Sequence, residues 1–170
     1  MKKNNQPIAI IAGARPNFMK VAPLIRELKR QKMKHVLINT GQHFSKSMGH
    51  DFLKEFNLKP TYTLRPSKQT VAGQMNDIKA GLEKVFIKEN PSMVVVVGDV
   101  NSTLAGALVA KKINIPLAHI EAGLRSYNPK MPEEHNRVKT DQLSNLLFVT
   151  QKEGIKNLLK EHVHGHVHFV

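Results

Sequence analysis

A chain of 170 residues, 41% hydrophobic and 23% charged, has the balance of one globular domain. No apolar run approaches the ~20 residues of a membrane span, and the absence of cysteine excludes disulfides and thiolate chemistry, so the expected compartment is the cytoplasm. The net charge of +13 suits an anionic partner; because the lysines are scattered along stretches such as "IRELKRQKMKH" and two Tyr with no Trp offer little stacking surface beyond seven Phe, a phosphorylated small molecule is favoured over nucleic acid.

Strands and helices alternate along the chain. "PIAIIAG" (7–13) is a short apolar run closed by Gly, the pattern of a buried strand and too short for a signal-peptide core. "NFMKVAPLIRELKRQ" (17–31) places Phe18, Val21, Ile25 and Leu28 at helical spacing, and Pro23 predicts irregular or kinked first turns. "HVLINTG" (35–41) is a second strand, "SMGHDFLKEFNL" (47–58) a short helix and "TYTL" (61–64) a short strand. "QTVAGQMNDIKAGLEKVFIKENP" (69–91) sets Val71, Met75, Ile78, Leu82 and Val85 on one helical face and is closed by Pro91. "SMVVVVGD" (92–99) is a strand apolar on both faces, followed by the helix "NSTLAGALVAKKINIP" (101–116), for which Asn101 or Ser102 is the expected cap. "LAHIEAG" (117–123) is a strand, and "PEEHNRVKTDQLSN" (132–145) a helix with Pro132 at its start. "LLFVT" (146–150), "KEGIKNLLKE" (152–161) and "HVHFV" (166–170) complete the order as strand, helix and strand. Such alternation implies an α/β fold, a Rossmann-like doubly wound parallel sheet with right-handed crossovers. A strand running to the last residue leads to the expectation that residues 1–170 are one domain of a longer chain.

Parallel sheets bind ligands outside the carboxyl ends of their strands. Four polar clusters fall at that edge: Gly13-Ala14-Arg15-Pro16, Gly41-Gln42-His43, Gly98-Asp99 and Glu121-Ala122-Gly123-Leu124-Arg125. Arg15 offers a bidentate fork for phosphate oxygens beside a helix N-terminus, and Lys20 adds a point charge. Neither G-x-G-x-x-G nor G-x-x-x-x-G-K-[ST] occurs, so this is neither a dinucleotide fingerprint nor a P-loop. The segment "HIEAGLRSYNPKMPEEHNR" gathers Glu121, Glu133 and Glu134 with Arg125 and Arg137 in a chain that has only 13 acidic residues. Glu133 and Arg137, four apart, share a helix face, which predicts either an exposed ion pair or a guanidinium that holds Glu133 for acid–base work opposite Glu121. The run "HVHGHVH" spaces His162, His164, His166 and His168 two apart, but Gly165 interrupts it and no carboxylate completes a ligand set, so no metal is expected.

Together, "GARPNFMKVAPL", "NTGQHF", "GDVNSTLAGALVA" and "HIEAGLRSYNPKMPEEHNR" resemble the non-hydrolysing UDP-N-acetylglucosamine 2-epimerases, over nearly the whole chain from Ile8 to about Leu159. The last block is very specific to that family; the first departs from its commoner form but keeps Arg15, Pro16 and Lys20. The resemblance implies the N-terminal half of a two-domain GT-B architecture. The other half, with a family histidine and most of the uridine pocket, has no counterpart here. It also implies a cofactor-free interconversion of UDP-N-acetylglucosamine and UDP-N-acetylmannosamine through 2-acetamidoglucal, in a homodimer without a nucleic-acid or membrane partner. On the matching positions, Asp99, Glu121 and Glu133 are the catalytic or sugar-orienting carboxylates, and Arg15, Lys20 and Arg137 bind substrate or partner them. Gln42 and His43 match a region that contacts an activating second UDP-sugar. The alternatives are a GT-B glycosyltransferase, a hydrolysing epimerase, or a non-catalytic module that binds an anion or nucleic acid.

Overall fold

The computed structural model describes residues 6–42, 53–67 and 70–170. Its strands are β1 (Ile8–Ala12), β2 (His35–Asn39), β3 (Tyr62–Thr63), β4 (Met93–Val97), β5 (Leu117–Ile120), β6 (Leu146–Val149) and β7 (His166–Phe169). The helices between them are α1 (Arg15–Arg30), α2 (Val71–Glu89), α3 (Asn101–Lys112), α4 (Pro132–Leu143) and α5 (Lys152–Lys160). All pairings are parallel, in the order β3-β2-β1-β4-β5-β6-β7. That order reverses direction between β1 and β4, the position where doubly wound sheets open a ligand crevice.

Alternate residues of each strand feed opposite faces. Ala9, Ile11, Val36, Ile38, Val94 and Val96 pack with Ile78, Leu82 and Phe86 of α2 and Ala105 and Val109 of α3. Ile10, Ala12, Leu37, Val95 and Val97 pack with Phe18, Val21, Ile25 and Leu28 of α1, the helical stripe expected from spacing. Leu147 and Val149 of β6 meet Leu158 of α5 in a smaller cluster. Stripes of this kind stabilise α1, α2 and α3, because burial of a large aliphatic side chain contributes roughly 1.5–3 kcal/mol, more than any difference in helix propensity, whereas α4 buries Asn136, Arg137, Thr140 and Asp141.

Several expectations need correction. Pro23 does not disrupt α1, which runs unbroken from Arg15 to Arg30; proline removes the one N–H that would reach the carbonyl of half-exposed Met19. Val71 lies exposed in the first turn of α2, so that helix's buried stripe begins further along, at Ile78. Helix α3 stops at Lys112, short of the expected Pro116, because Asn114 turns left-handed (φ 57°). Its N-cap position is Val100, which has no side-chain acceptor, in place of Asn101 or Ser102. The helix expected over 47–58 falls mostly outside the described residues, although residues 53–55 are helical.

Candidate functional site

The turn after β1 is shaped by Asn17, which is buried. Its Oδ1 accepts from the N–H groups of Gly13 (3.3 Å) and Ala14 (3.0 Å), and its Nδ2 donates to the Val97 carbonyl (3.2 Å). One amide thereby fastens the start of α1 to the end of β4 across the switch point. Arg15 is exposed at the first position of α1, where the helix presents free N–H groups and the positive end of its dipole. Lys20, further along the same helix, forms an ion pair with the carboxylate of Glu121.

Past β5 the chain turns sharply. Glu121 has φ 69°, a left-handed conformation that costs a residue with a Cβ roughly 1 kcal/mol or more. Gly98, after β4, has φ 69° and lies under the Glu121 carboxylate, while Gly123 has φ 79°. Arg137, buried on α4, bridges the two strand ends: one guanidinium nitrogen donates to the Glu121 carbonyl, and another pairs with the Asp99 carboxylate. Asn136, beside it, donates to the Asp99 carbonyl (2.9 Å) and to Asn101 Oδ1 (3.0 Å).

A cleft of about 210 Å³ opens over this edge, and Asp99, Glu133 and Arg137 line it together with Ser126 and Met131. The structure therefore brings Asp99, Glu133 and Arg137 together. It places the Glu121 side chain beside them on Lys20, outside that lining. The expected Glu133–Arg137 pair does not form: Arg137 is turned inward to Asp99, and Glu133 stays exposed at the rim with no ion pair among the described residues. Glu134 has a different task. Its carboxylate accepts from the Ser126 N–H (2.7 Å), the Ser126 hydroxyl (2.9 Å) and the Tyr127 N–H (3.2 Å), pinning the loop that leads into α4. Burial pushes its carboxyl up, but these donors and the charge of Arg125 outweigh that and hold it below the usual range.

Sequence reasoning missed the buried network beneath the cleft. His119 and Asp141 are fully buried, with Nδ1 and Oδ1 2.7 Å apart. The Asp141 Oδ2 accepts from the Gly123 N–H (3.1 Å) and faces Arg125 Nη1 at 2.8 Å, and Arg125 also pairs with Glu161 (2.6 Å). Burial pushes the Asp141 carboxyl up, yet His119 and Arg125 overcome it and hold it below its ordinary value. Burial works against the Arg125 charge too, and Glu161 and Asp141 more than compensate, raising its proton affinity. A histidine inside the apolar run "LAHI" was the available signal, since a buried imidazole needs a polar partner.

Gln42 acts as a cap supplied from another element: its Oε1 accepts from the Ser102 N–H (2.9 Å) and hydroxyl (2.6 Å) at the start of α3. Its own carbonyl accepts from Gln74 Nε2 (3.2 Å). His43 lies outside the described residues. Of the four histidines in "HVHGHVH", His166 and His168 are in β7, where His168 stacks on Phe148 with ring centroids 5.6 Å apart. Among the described residues no group of three His, Cys, Asp or Glu is placed to hold a metal ion, and no helix is long and apolar enough to cross a membrane.

A parallel seven-stranded sheet carrying ion-paired carboxylates at its switch-point edge is a Rossmann-like half of the GT-B architecture. The sequence profile of the UDP-N-acetylglucosamine 2-epimerases matches residues 26–170, and the chain belongs to that family. It is 48% identical over 155 residues to a UDP-N-acetylglucosamine 2-epimerase of Methanococcus maripaludis, covering 91% of this chain and 42% of the relative. It is 43% identical over 156 residues to a UDP-2,3-diacetamido-2,3-dideoxy-D-glucuronate 2-epimerase of Pseudomonas aeruginosa, covering 91% and 44%. The crystal structure of the Methanocaldococcus jannaschii UDP-GlcNAc 2-epimerase in complex with UDP-GlcNAc and UDP superimposes with a TM-score of 0.92 at 43% identity, over 96% of this chain and 46% of that one. The chain thus spans about half the length of the relatives it matches.

Proposed function

We propose that this chain is one half of the active site of a UDP-sugar 2-epimerase, interconverting UDP-N-acetylglucosamine and UDP-N-acetylmannosamine. The observation that carries the proposal is the meeting, at one sheet edge, of the Lys20–Glu121 and Arg137–Asp99 pairs with the exposed carboxylate of Glu133, in a chain of this family. Epimerisation at C2 requires a proton to leave one face and return to the other. In the proposed course a carboxylate takes the C2 proton, the C–H electrons form the C1=C2 bond, and the C1–O bond breaks, with UDP departing as an anion. Reversal with the proton delivered to the opposite face gives the epimer. Asp99, Glu121 and Glu133 supply the candidate acid and base, because positioned carboxylates in unlike environments serve both tasks. Arg15 and Lys20, at the start of α1, stabilise the departing diphosphate. Gln42 and His43 remain the candidate contacts for an activating second UDP-sugar.

A second domain, making up the remaining length of the relatives, closes the cleft, and the complete enzyme is read as a cytoplasmic homodimer. The likeness to the Pseudomonas aeruginosa protein favours one further reading, a 2,3-diacetamido uronate on the same UDP carrier. Both sugars carry an acetamido group on C2, the carbon that is epimerised, so the chemistry is shared.

The test joins this chain to the C-terminal half of the Methanococcus maripaludis relative and offers it each UDP-sugar in deuterated water. The proposal expects C2-deuterated epimer without net release of UDP. Release of UDP with a free sugar identifies a hydrolysing epimerase instead. A folded, UDP-binding fusion that leaves both sugars unchanged contradicts the proposal.

A further inference from the structure

We propose that Asp141 is a positioning residue for the two strand-end carboxylates, acting through His119 and Gly123; this rests on the 2-epimerase reading. Asp141 sits on α4 with no solvent exposure and is not itself part of the cleft lining, although it pairs with Arg125, which is. Its two oxygens point to different strand ends. Oδ2 takes the Gly123 N–H, two residues after Glu121. Oδ1 takes His119 Nδ1, and the other ring nitrogen of His119 lies 2.8 Å from the carbonyl of Gly98, the residue before Asp99. A carbonyl only accepts, so Nε2 carries a proton. On the other side of the ring Nδ1 and the Asp141 Oδ1 are hydrogen-bond partners, and the same carboxylate faces Arg125 and the Gly123 N–H. One carboxylate therefore holds the turn that presents Asp99 and the turn that presents Glu121.

Both turns are unusual backbone. Gly98, Glu121 and Gly123 all have positive φ, and Glu121 pays for it with a Cβ. A non-glycine residue keeps such a conformation only when its surroundings over-determine it. Here they do: the Glu121 N–H donates to the Phe148 carbonyl (3.0 Å), its carbonyl accepts from Arg137, and Gly123 is clamped between Asp141 and the Asn157 Nδ2 that donates to its carbonyl (2.8 Å). Buried ion pairs add little net stability compared with well-packed apolar groups. The arrangement supplies what the carboxylates need, which is a fixed direction.

Two experiments test this. The first uses the 170-residue chain alone and needs no activity. Glu121→Ala and Glu121→Gly both remove the carboxylate, and they differ only in the Cβ that left-handed backbone disfavours. With Asp141 intact, Glu121→Gly is expected to melt roughly 2–6 °C above Glu121→Ala. In an Asp141→Asn background that gap collapses, because the turn relaxes. Asp141→Glu, which keeps a carboxylate beside Arg125 but moves its oxygens off the Gly123 N–H, is the second background should Asp141→Asn not fold. An undiminished gap in the background tested overturns the proposal. The second experiment uses the chain joined to the C-terminal half of its relative. Asp141→Asn is expected to lower kcat by roughly 10–100-fold with KM within about twofold, as misplacement of a catalytic group does. Wild-type kcat per folded molecule also overturns it. A wild-type fusion that folds but shows no turnover defeats the 2-epimerase reading alone, since the melting comparison still decides whether Asp141 sets the Glu121 turn.

Discussion

Arg137 reaches Asp99, 38 residues away in sequence, and leaves Glu133, one helical turn behind it, without an ion partner among the described residues. Spacing along α4 favours the local pair, but an exposed pair of that kind contributes only ~0.3–0.5 kcal/mol. The Arg137 side chain is just 9% exposed, so its charge-assisted bonds to Asp99 and to the Glu121 carbonyl decide its direction.

Arg137→Ala is therefore expected to destabilise the chain by about 2–3 kcal/mol, the cost of losing charge-assisted bonds to partly buried acceptors. Arg137→Lys recovers only part of this, because a single ammonium does not span both acceptors. Glu133→Ala stays within ~0.5 kcal/mol. Urea unfolding of the three variants gives these values, and equal effects of Arg137→Ala and Glu133→Ala would restore the local pair.

Gly123 packs on Gly154 so closely that an added Cβ would lie 2.5 Å from the Gly154 carbonyl oxygen, a backbone atom, at φ 79°. Overpacking and left-handed strain add, so Gly123→Ala is expected to cost roughly 2–4 kcal/mol. Because the loop from Glu121 to Glu134 is anchored there, the variant's amide exchange should rise first at Gly123, Ser126 and Tyr127. Protection unchanged at these amides would show that the loop is held elsewhere.

Acid should unfold the chain partly through Asp141. Its folded carboxyl lies below the ordinary value of 3.8 because the pull of His119 and Arg125 exceeds the opposing effect of burial. A depressed carboxylate contributes stability that is present above the unfolded value and is lost as pH falls through the folded one. Glu134 has the same sign, from an ordinary value of 4.5. Asp141→Asn should thus be less stable at neutral pH, and its melting temperature should fall less steeply than wild type below about pH 4. Parallel melting curves against pH for the two chains would remove Asp141 from acid unfolding.

Lys20 pairs with Glu121, although its expected task is to meet diphosphate. In the fusion with the C-terminal half of the relative, Lys20→Ala and Arg15→Ala should each weaken UDP-sugar binding by roughly 10–100-fold, the worth of one charge-assisted contact. Unchanged kcat/KM in either variant would take that residue out of the site.

The strand and helix order was legible because each element carries its own periodicity: "MVVVV" is apolar on both faces, and Phe18, Val21, Ile25 and Leu28 repeat at helical spacing. Four polar clusters at strand ends were legible from topology alone, since a parallel sheet collects the carboxyl ends of its strands at one edge. What sequence did not reveal are pairings between distant elements. Nothing local to Gln42 says that it caps α3, and nothing local to Asp141 says that it meets His119, 22 residues earlier. The Glu133–Arg137 expectation failed for the same reason, since spacing counts neighbours on one helix and not acceptors on the next strand. Pro23 misled because its missing hydrogen bond falls at half-exposed Met19.

The central claim is that Asp99, Glu121 and Glu133 include the groups that move the C2 proton. Deuterium uptake at C2 of UDP-N-acetylglucosamine, measured by mass spectrometry on the fusion with the C-terminal half of the relative, tests it directly. Asp99→Asn, Glu121→Gln and Glu133→Gln keep size and hydrogen bonding but cannot take up a proton, and general acid–base groups are worth ~10²–10⁴ in rate. The variant lacking the base is predicted to lose exchange and epimerisation together by at least ~10², with UDP binding retained. Wild-type rates of exchange and epimerisation in all three variants would contradict the account and leave the carboxylates as structural groups.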